Sequence, residues 1–206
     1  MTLKASELNE KKKAPDVSGV VPLFHERWSP RSFSDRDVSC ETLAKVFEAA
    51  RWAASSSNEQ PWKYIVGLRG TETHKLIFES LVPGNQKWAA KVPVLIISTT
   101  RKAFAKNDAP NRFALHDLGA ANAQLVLEAH ALGLAAHQMG GYDEATARQL
   151  LGIPDDYLTG SAIAIGYQDD PEQLGDAGLI EREVAPRTRK PLSEIALGAW
   201  GEPLGF

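Results

Sequence analysis

The sequence predicts an α+β or α/β domain, a sheet covered by helices, and three observations point there. Short β-branched or apolar runs are separated by amphipathic helical spacings, tight hairpin signals are few, and no segment repeats another. With 206 residues, 43% of them hydrophobic and 24% charged, the chain has ordinary globular composition and length enough for one sizeable core.

Residues 1–18 are polar, carry the run Lys11-Lys12-Lys13 and read as a mobile arm, with core structure starting near Val20 and residues 19–206 read as a single domain. Ser39 is a good N-cap. After it Leu43, Val46, Phe47 and Ala50 fall at i, i+3, i+4 and i+7, predicting an amphipathic helix that ends near Ala54, before the breaker SSSNEQP. Trp62–Leu68 is aromatic and β-branched and predicts a strand, and Thr71 can cap a helix carrying Leu76, Ile77 and Leu81. The near-continuous apolar run Val92–Thr99 predicts a strand in the middle of a sheet, apolar on both faces.

Residues 101–112 are turn-rich and predict a loop. Leu115, Leu118, Asn122, Leu125, Val126, Ala129 and Leu132 then trace the longest helix, ending at Gly133. Gly119, Ala120, Ala121 and Ala123 make it slim, which suits either a second backbone or tight packing on its own sheet. A short helix over Glu144–Leu151 and a strand over Ser161–Gly166 follow, and from about Gln168 the chain, rich in Pro, Gly and charge, reads as extended. So long an irregular segment is usually functional or wraps something, and a partner subunit is the economical occupant.

Composition excludes several classes of function. Lys plus Arg number 23 against 26 Asp plus Glu, a net charge of -3, so there is no global basic field for nucleic acid or an anionic membrane. No apolar stretch approaches the roughly 20 residues that span a bilayer, and the start lacks a signal-peptide core, which predicts a cytoplasmic protein. The single cysteine, Cys40, has no companion for a disulfide or a metal site. Motifs of dinucleotide folds, P-loop enzymes, zinc proteases and α/β-hydrolases are missing, and the five histidines are scattered. His116 and Asp117, adjacent on a helix, are expected to point in different directions.

Four stretches carry chemistry. In RWSPRSF, Pro30 biases Ser29 toward extended angles, and in extended chain Arg27, Ser29 and Arg31 share one face. Two guanidinium forks around a hydroxyl suit a phosphate; they also suit a salt-bridging turn with Glu26, Asp35 and Asp37. APRTRKP places Arg187 and Arg189 two apart near the other end of the chain, so the two pairs either close on one dianion or stand as separate surface pairs. ASSSNEQPW (residues 54–62) offers hydroxyls and amides in a loop, where function concentrates, or a turn with local hydrogen bonds. HQMGGYD (residues 137–143) has paired glycines that admit a flat ligand, or make an ordinary turn.

Together these stretches resemble the FMN-dependent nitroreductase family, over about Phe24 to Leu192. The resemblance rests on R-x-S-x-R-x-F (Arg27, Ser29, Arg31, Phe33), AARWAASSSNEQPWKYIV, D-x-G-A-A-x-x-x-L-x-L-x-A-x-x-L-G-L from Asp117 to Leu134, GGYD and the late R-x-R-K-P. It implies an α+β three-layer sandwich, a mainly antiparallel sheet flanked by helices, in an intertwined homodimer with extended terminal arms and FMN at the interface. It implies ping-pong chemistry in which NADH or NADPH delivers hydride to flavin N5, leaves, and a nitroaromatic or quinone takes its place. No residue stands out to read a 2′-phosphate.

By the same resemblance Arg27, Ser29, Arg187 and Arg189 clamp the phosphate, and Trp28 contacts the cofactor. Arg31 lies nearer the ribityl chain or pyrimidine edge. Ser55, Ser56 and Asn58 reach FMN from the other subunit, and Asn85 reads the pyrimidine edge. Gln138, Met139, Gly140 and Gly141 pack on one ring face, with the Gly140 backbone as a donor toward N5, so that no side chain is itself catalytic. Three features depart from better-known members: Trp88 stands where some carry a lysine, leaving that charge to Arg31 or Lys87; Gln138 and Met139 replace a proline-containing turn; and residues 100–112 are short. A dehalogenase, an oxidase, a flavin-consuming enzyme or a non-catalytic flavin carrier would share the fold.

Overall fold

The computed structural model describes residues 3–14 and 19–205. The helices are α1 (Ala5–Lys12), α2 (Pro22–Glu26), α3 (Cys40–Arg51), α4 (Glu72–Ser80), α5 (Pro83–Ala89), α6 (Ala114–Ala131), α7 (Glu144–Leu151) and α8 (Ala177–Val184). The strands are β1 (Trp62–Leu68), β2 (Val94–Arg101), β3 (Ala135–Met139) and β4 (Tyr157–Gly166), with a small hairpin of β5 (Leu197–Ala199) and β6 (Glu202–Pro203). The main sheet runs β1-β2-β4-β3 and every neighbouring pair is antiparallel, which makes the fold α+β.

β2 is apolar on both faces because both are covered. Val94 and Ile96, with Ile163 and Ile165 of β4, pack on Val46 of α3 and Leu125 of α6. Leu95 and Ile97, with Ala162 and Ala164, pack on Ile77 of α4 and Trp88 of α5. The alternation of neighbouring residues between two cores is the period-2 geometry of a strand, and each fully buried Leu or Ile contributes about 1.5 to 3 kcal/mol. Gly67 of β1 lets α4 lie directly on the strand: a Cβ there would come within 2.4 Å of the His74 backbone.

Ser39 and Thr71 cap their helices as the sequence predicts, and Asp143 and Asp176 do the same for α7 and α8: each accepts a backbone N–H of the first turn. α6, at 18 residues, is the longest helix among the described residues.

Several expectations change. The arm predicted over 1–18 contains helix α1, docked by the fully buried Leu8 and, one turn on, by Lys12, whose Nζ donates to the Ala185 carbonyl; residues 1, 2 and 15–18 lie outside the described residues. The segment from 168 is not uniformly extended, since α8 buries Leu179 and Glu183 at i, i+4. The helix after Ser39 stops at Arg51 rather than near Ala54. His116 and Asp117 point in different directions as expected, His116 exposed and Asp117 buried, yet their side chains still touch, with Nδ1 and Oδ1 3.2 Å apart. α5 and β3 have no counterpart in the sequence reading.

Candidate functional site

Between α2 and α3 the chain is extended, and Trp28, Pro30 and Ser32 are buried while Arg27, Ser29 and Arg31 keep partial exposure on the other face. The Arg27 guanidinium donates to the Ser29 hydroxyl at 3.3 Å. Arg187 enters from the C-terminal segment and is aimed by two carbonyls, donating from Nη1 to Lys12 O at 2.7 Å and His25 O at 2.8 Å. Arg189 lies close enough for its charge to act on both, so the arginines from the two ends of the chain share one neighbourhood. Burial first, and then this mutual repulsion, holds the Arg27 and Arg187 guanidiniums below the usual arginine range. Among the described residues none of the three forms an ion pair with a carboxylate.

Arg31 differs. Its Nη1 is 3.8 Å from Glu183, a fully buried carboxylate that also accepts the Arg31 N–H at 2.8 and 3.0 Å and the Ser32 N–H at 3.2 Å. Burial pushes the Glu183 carboxyl up, against the pull of these donors. The Trp28 side chain turns to α1, with its indole N–H on Asn9 Oδ1 at 2.7 Å and Lys12 Nζ 4.7 Å from the ring centroid.

A chain of contacts ties this stretch to the glycine turn. His137 Nδ1 is 2.9 Å from the Pro30 carbonyl, and its ring centroid is 4.9 Å from that of Trp88. Trp88 donates to Asn85 Oδ1 at 3.3 Å, and Asn85 Nδ2 donates to the Gly141 carbonyl at 2.8 Å. A Cβ on Gly141 would come within 2.6 Å of that amide, whereas one on Gly140 would meet nothing, so the chain beyond β3 is braced on one side and open on the other. Met139 is buried in the core and Gln138 is exposed. Lys87 pairs with Asp176 at 3.6 Å. Burial is the main cause that pushes the His137 imidazole down to about 4, so it is neutral at pH 7.

The loop with Ser55, Ser56 and Asn58 stands apart: no hydrogen bond or ion pair among the described residues joins it to the arginines. It is held from α6, where the buried Asp117 accepts the Ser56 N–H at 3.0 Å. Ser57, Asn58 and Gln60 adopt left-handed φ of 54°, 54° and 51°, which costs non-glycine residues on the order of 1 kcal/mol or more each.

The sequence reading missed Lys12, Glu183 and Asp117 as supports of the site. A carboxylate at i+4 from Leu179 on the buried stripe of a capped helix was the available signal for Glu183. No group of His, Cys, Asp or Glu suited to a metal ion occurs among the described residues.

The profile of the Nitroreductase family matches residues 25–81 and 68–167. A protein of Archaeoglobus fulgidus, provisionally named as an NADH dehydrogenase/NAD(P)H nitroreductase, is 30% identical over 161 residues, covering 76% of this chain and 90% of its own. A crystal structure described as the oxidoreductase containing FMN superposes with a TM-score of 0.83 at 35% identity, over 90% of this chain and 94% of that one. An FMN complex of a Desulfovibrio desulfuricans protein, provisionally described as a nitroreductase, shares the fold, with a TM-score of 0.71 at 24% identity over 92% and 100% of the two chains. The arginine-serine stretch, the bracketing helices and strands and the glycine turn all lie within or beside the matched span, and the chain belongs to the Nitroreductase family.

Proposed function

We propose that this chain is an FMN-dependent oxidoreductase that uses NADH or NADPH to reduce nitroaromatic, quinone or related acceptors by a ping-pong mechanism. The observation that carries the reading is the group of Arg27, Arg187 and Arg189, drawn from both ends of the chain with no carboxylate partner among the described residues. Such a group calls for an anion, and a phosphomonoester with two charges fits three guanidiniums and the Ser29 hydroxyl. The open face at Gly140, braced by Asn85 through Gly141, fits a flat ring.

Bound FMN would supply hydride and electron transfer between the nicotinamide and the acceptor. The chain's part is to hold and orient it. Arg27, Ser29, Arg187 and Arg189 would hold the phosphate; Arg31 would hold positive charge near the ring; Asn85 would fix the turn from Gln138 to Gly141. The homodimer belongs to the same proposal. α6 leaves Leu115 52% exposed one turn from Gly119, and the C-terminal hairpin leaves Trp200 98% exposed, both surfaces that a second copy would cover. Ser55, Ser56 and Asn58, which make no hydrogen bond to the arginines of their own subunit among the described residues, would then serve the partner's cofactor.

The test is the visible absorbance of purified protein. Bound flavin should bleach with NADH or NADPH under anaerobic conditions and recolour when a quinone or nitroaromatic is added. A colourless protein that also fails to take up FMN removes the proposal, and flavin that never bleaches leaves a carrier without turnover.

A further inference from the structure

A buried polar network crosses the sheet below the exposed end of β3. The Ser98 hydroxyl of β2 accepts the Ser161 N–H at 3.0 Å and donates to the Ser161 carbonyl at 2.9 Å. A hydroxyl has one hydrogen, so Ser98 has only acceptor capacity left. The Asn122 amide of α6, itself buried, offers its Nδ2 to Ser98 at 3.1 Å, which leaves its Oδ1 without a partner among the described residues. The same Nδ2 faces the Ser161 hydroxyl at 3.4 Å, which directs the Ser161 hydrogen away from Asn122 and onto Gln138 Oε1, 2.9 Å away.

The consequence reaches the surface. Gln138 is exposed, and with its Oε1 engaged its two amide N–H bonds have no partner among the described residues. β3 and β4 are in register up to Met139 opposite Ala162, so Ser161 lies one residue beyond that pair, beside the start of the glycine turn. We propose that Ser161 is a positioning residue that turns the Gln138 amide so that residue 138 acts as a hydrogen-bond donor toward the ring of bound flavin. The proposal rests on the FMN reading. A donor there favours the electron-rich reduced ring over the oxidised one, by the rule that hydrogen bonds to charged groups are the stronger ones.

The experiment compares the midpoint potential of FMN bound to the native protein, Ser161→Ala, Ser161→Thr and Gln138→Leu, alongside the side-chain amide NMR signals of Gln138 with and without FMN. Loss of the fixed donor should weaken the preference for reduced FMN about tenfold, which is about 30 mV for a two-electron couple. Ser161→Ala and Gln138→Leu should both show this loss, Ser161→Thr should restore it, and the Gln138 amide signals should change from a fixed to an averaged state in Ser161→Ala even without FMN. An unchanged potential in Gln138→Leu overturns the donor role, and a fixed Gln138 amide in Ser161→Ala overturns the role of Ser161. Native protein that does not retain FMN defeats the underlying reading instead, a result distinct from either.

Discussion

The Glu183 carboxylate, fully buried on α8, accepts the backbone N–H of Arg31 through both oxygens, at 2.8 and 3.0 Å. A residue near the C-terminus therefore fixes the stretch that carries Arg27, Ser29 and Arg31. Removing it leaves the buried Ser32 N–H, the part-buried Arg31 N–H and the Arg31 cation without their acceptor. Glu183→Ala should lower unfolding stability by about 2 to 4 kcal/mol in urea titrations, and Glu183→Gln, which keeps one acceptor oxygen, by less. Equal stability of the two variants would show that the N–H contacts do not hold this stretch.

His137 sets an acid limit. Its folded value near 4 lies below the ordinary 6.5, so between these the unfolded chain binds more protons. Stability rises with pH across that window, is full above it, and is lost as pH falls through it, by on the order of 3 kcal/mol for a group so placed. Melting temperatures measured from pH 7 to 4 should fall, and His137→Asn should flatten the fall; an identical slope in the variant would assign the acid sensitivity elsewhere.

The strands were readable because Trp62–Leu68 is aromatic and β-branched and Val92–Thr99 is nearly continuously apolar, although the second strand runs two residues later, over Val94–Arg101, and the N-caps Ser39 and Thr71 because their side chains compete for helix starts. β3 was not, since AAHQM has little β-propensity and pairs only with β4 at the sheet edge. α5 buries only Trp88 and Ala89, too few for a periodic signal, although Pro83 marks its start. In the site, alternation made the Arg27, Ser29, Arg31 face legible. Glu183 and Asp117 were hidden because a buried carboxylate is recognised by partners far away in sequence, here 151 and 61 residues.

Docking of α1 is a measurable departure from a loose arm. Leu8→Ala should cost about 2 to 4 kcal/mol and loosen the indole of Trp28, whose N–H is held by Asn9. Thermal melts and Trp fluorescence check it; an unaffected melt would mean that α1 adds nothing to the fold.

Asp117 is expected to hold the loop at Ser56 by a single charge-assisted bond. Asp117→Ala should speed backbone hydrogen exchange at residues 55–58 about tenfold or more, the equivalent of about 1.5 kcal/mol. Unchanged exchange would mean that the left-handed residues alone keep its shape.

The central claim is that Arg27 and Arg189 converge on one dianion. Its direct measurement is the FMN content of native protein and of Arg27→Ala combined with Arg189→Ala after gel filtration, with circular dichroism to confirm folding. Each contact contributes roughly 1.5 to 3 kcal/mol, so the folded variant should emerge without flavin while native protein keeps it. A folded variant that retains as much FMN as the native protein would contradict the account.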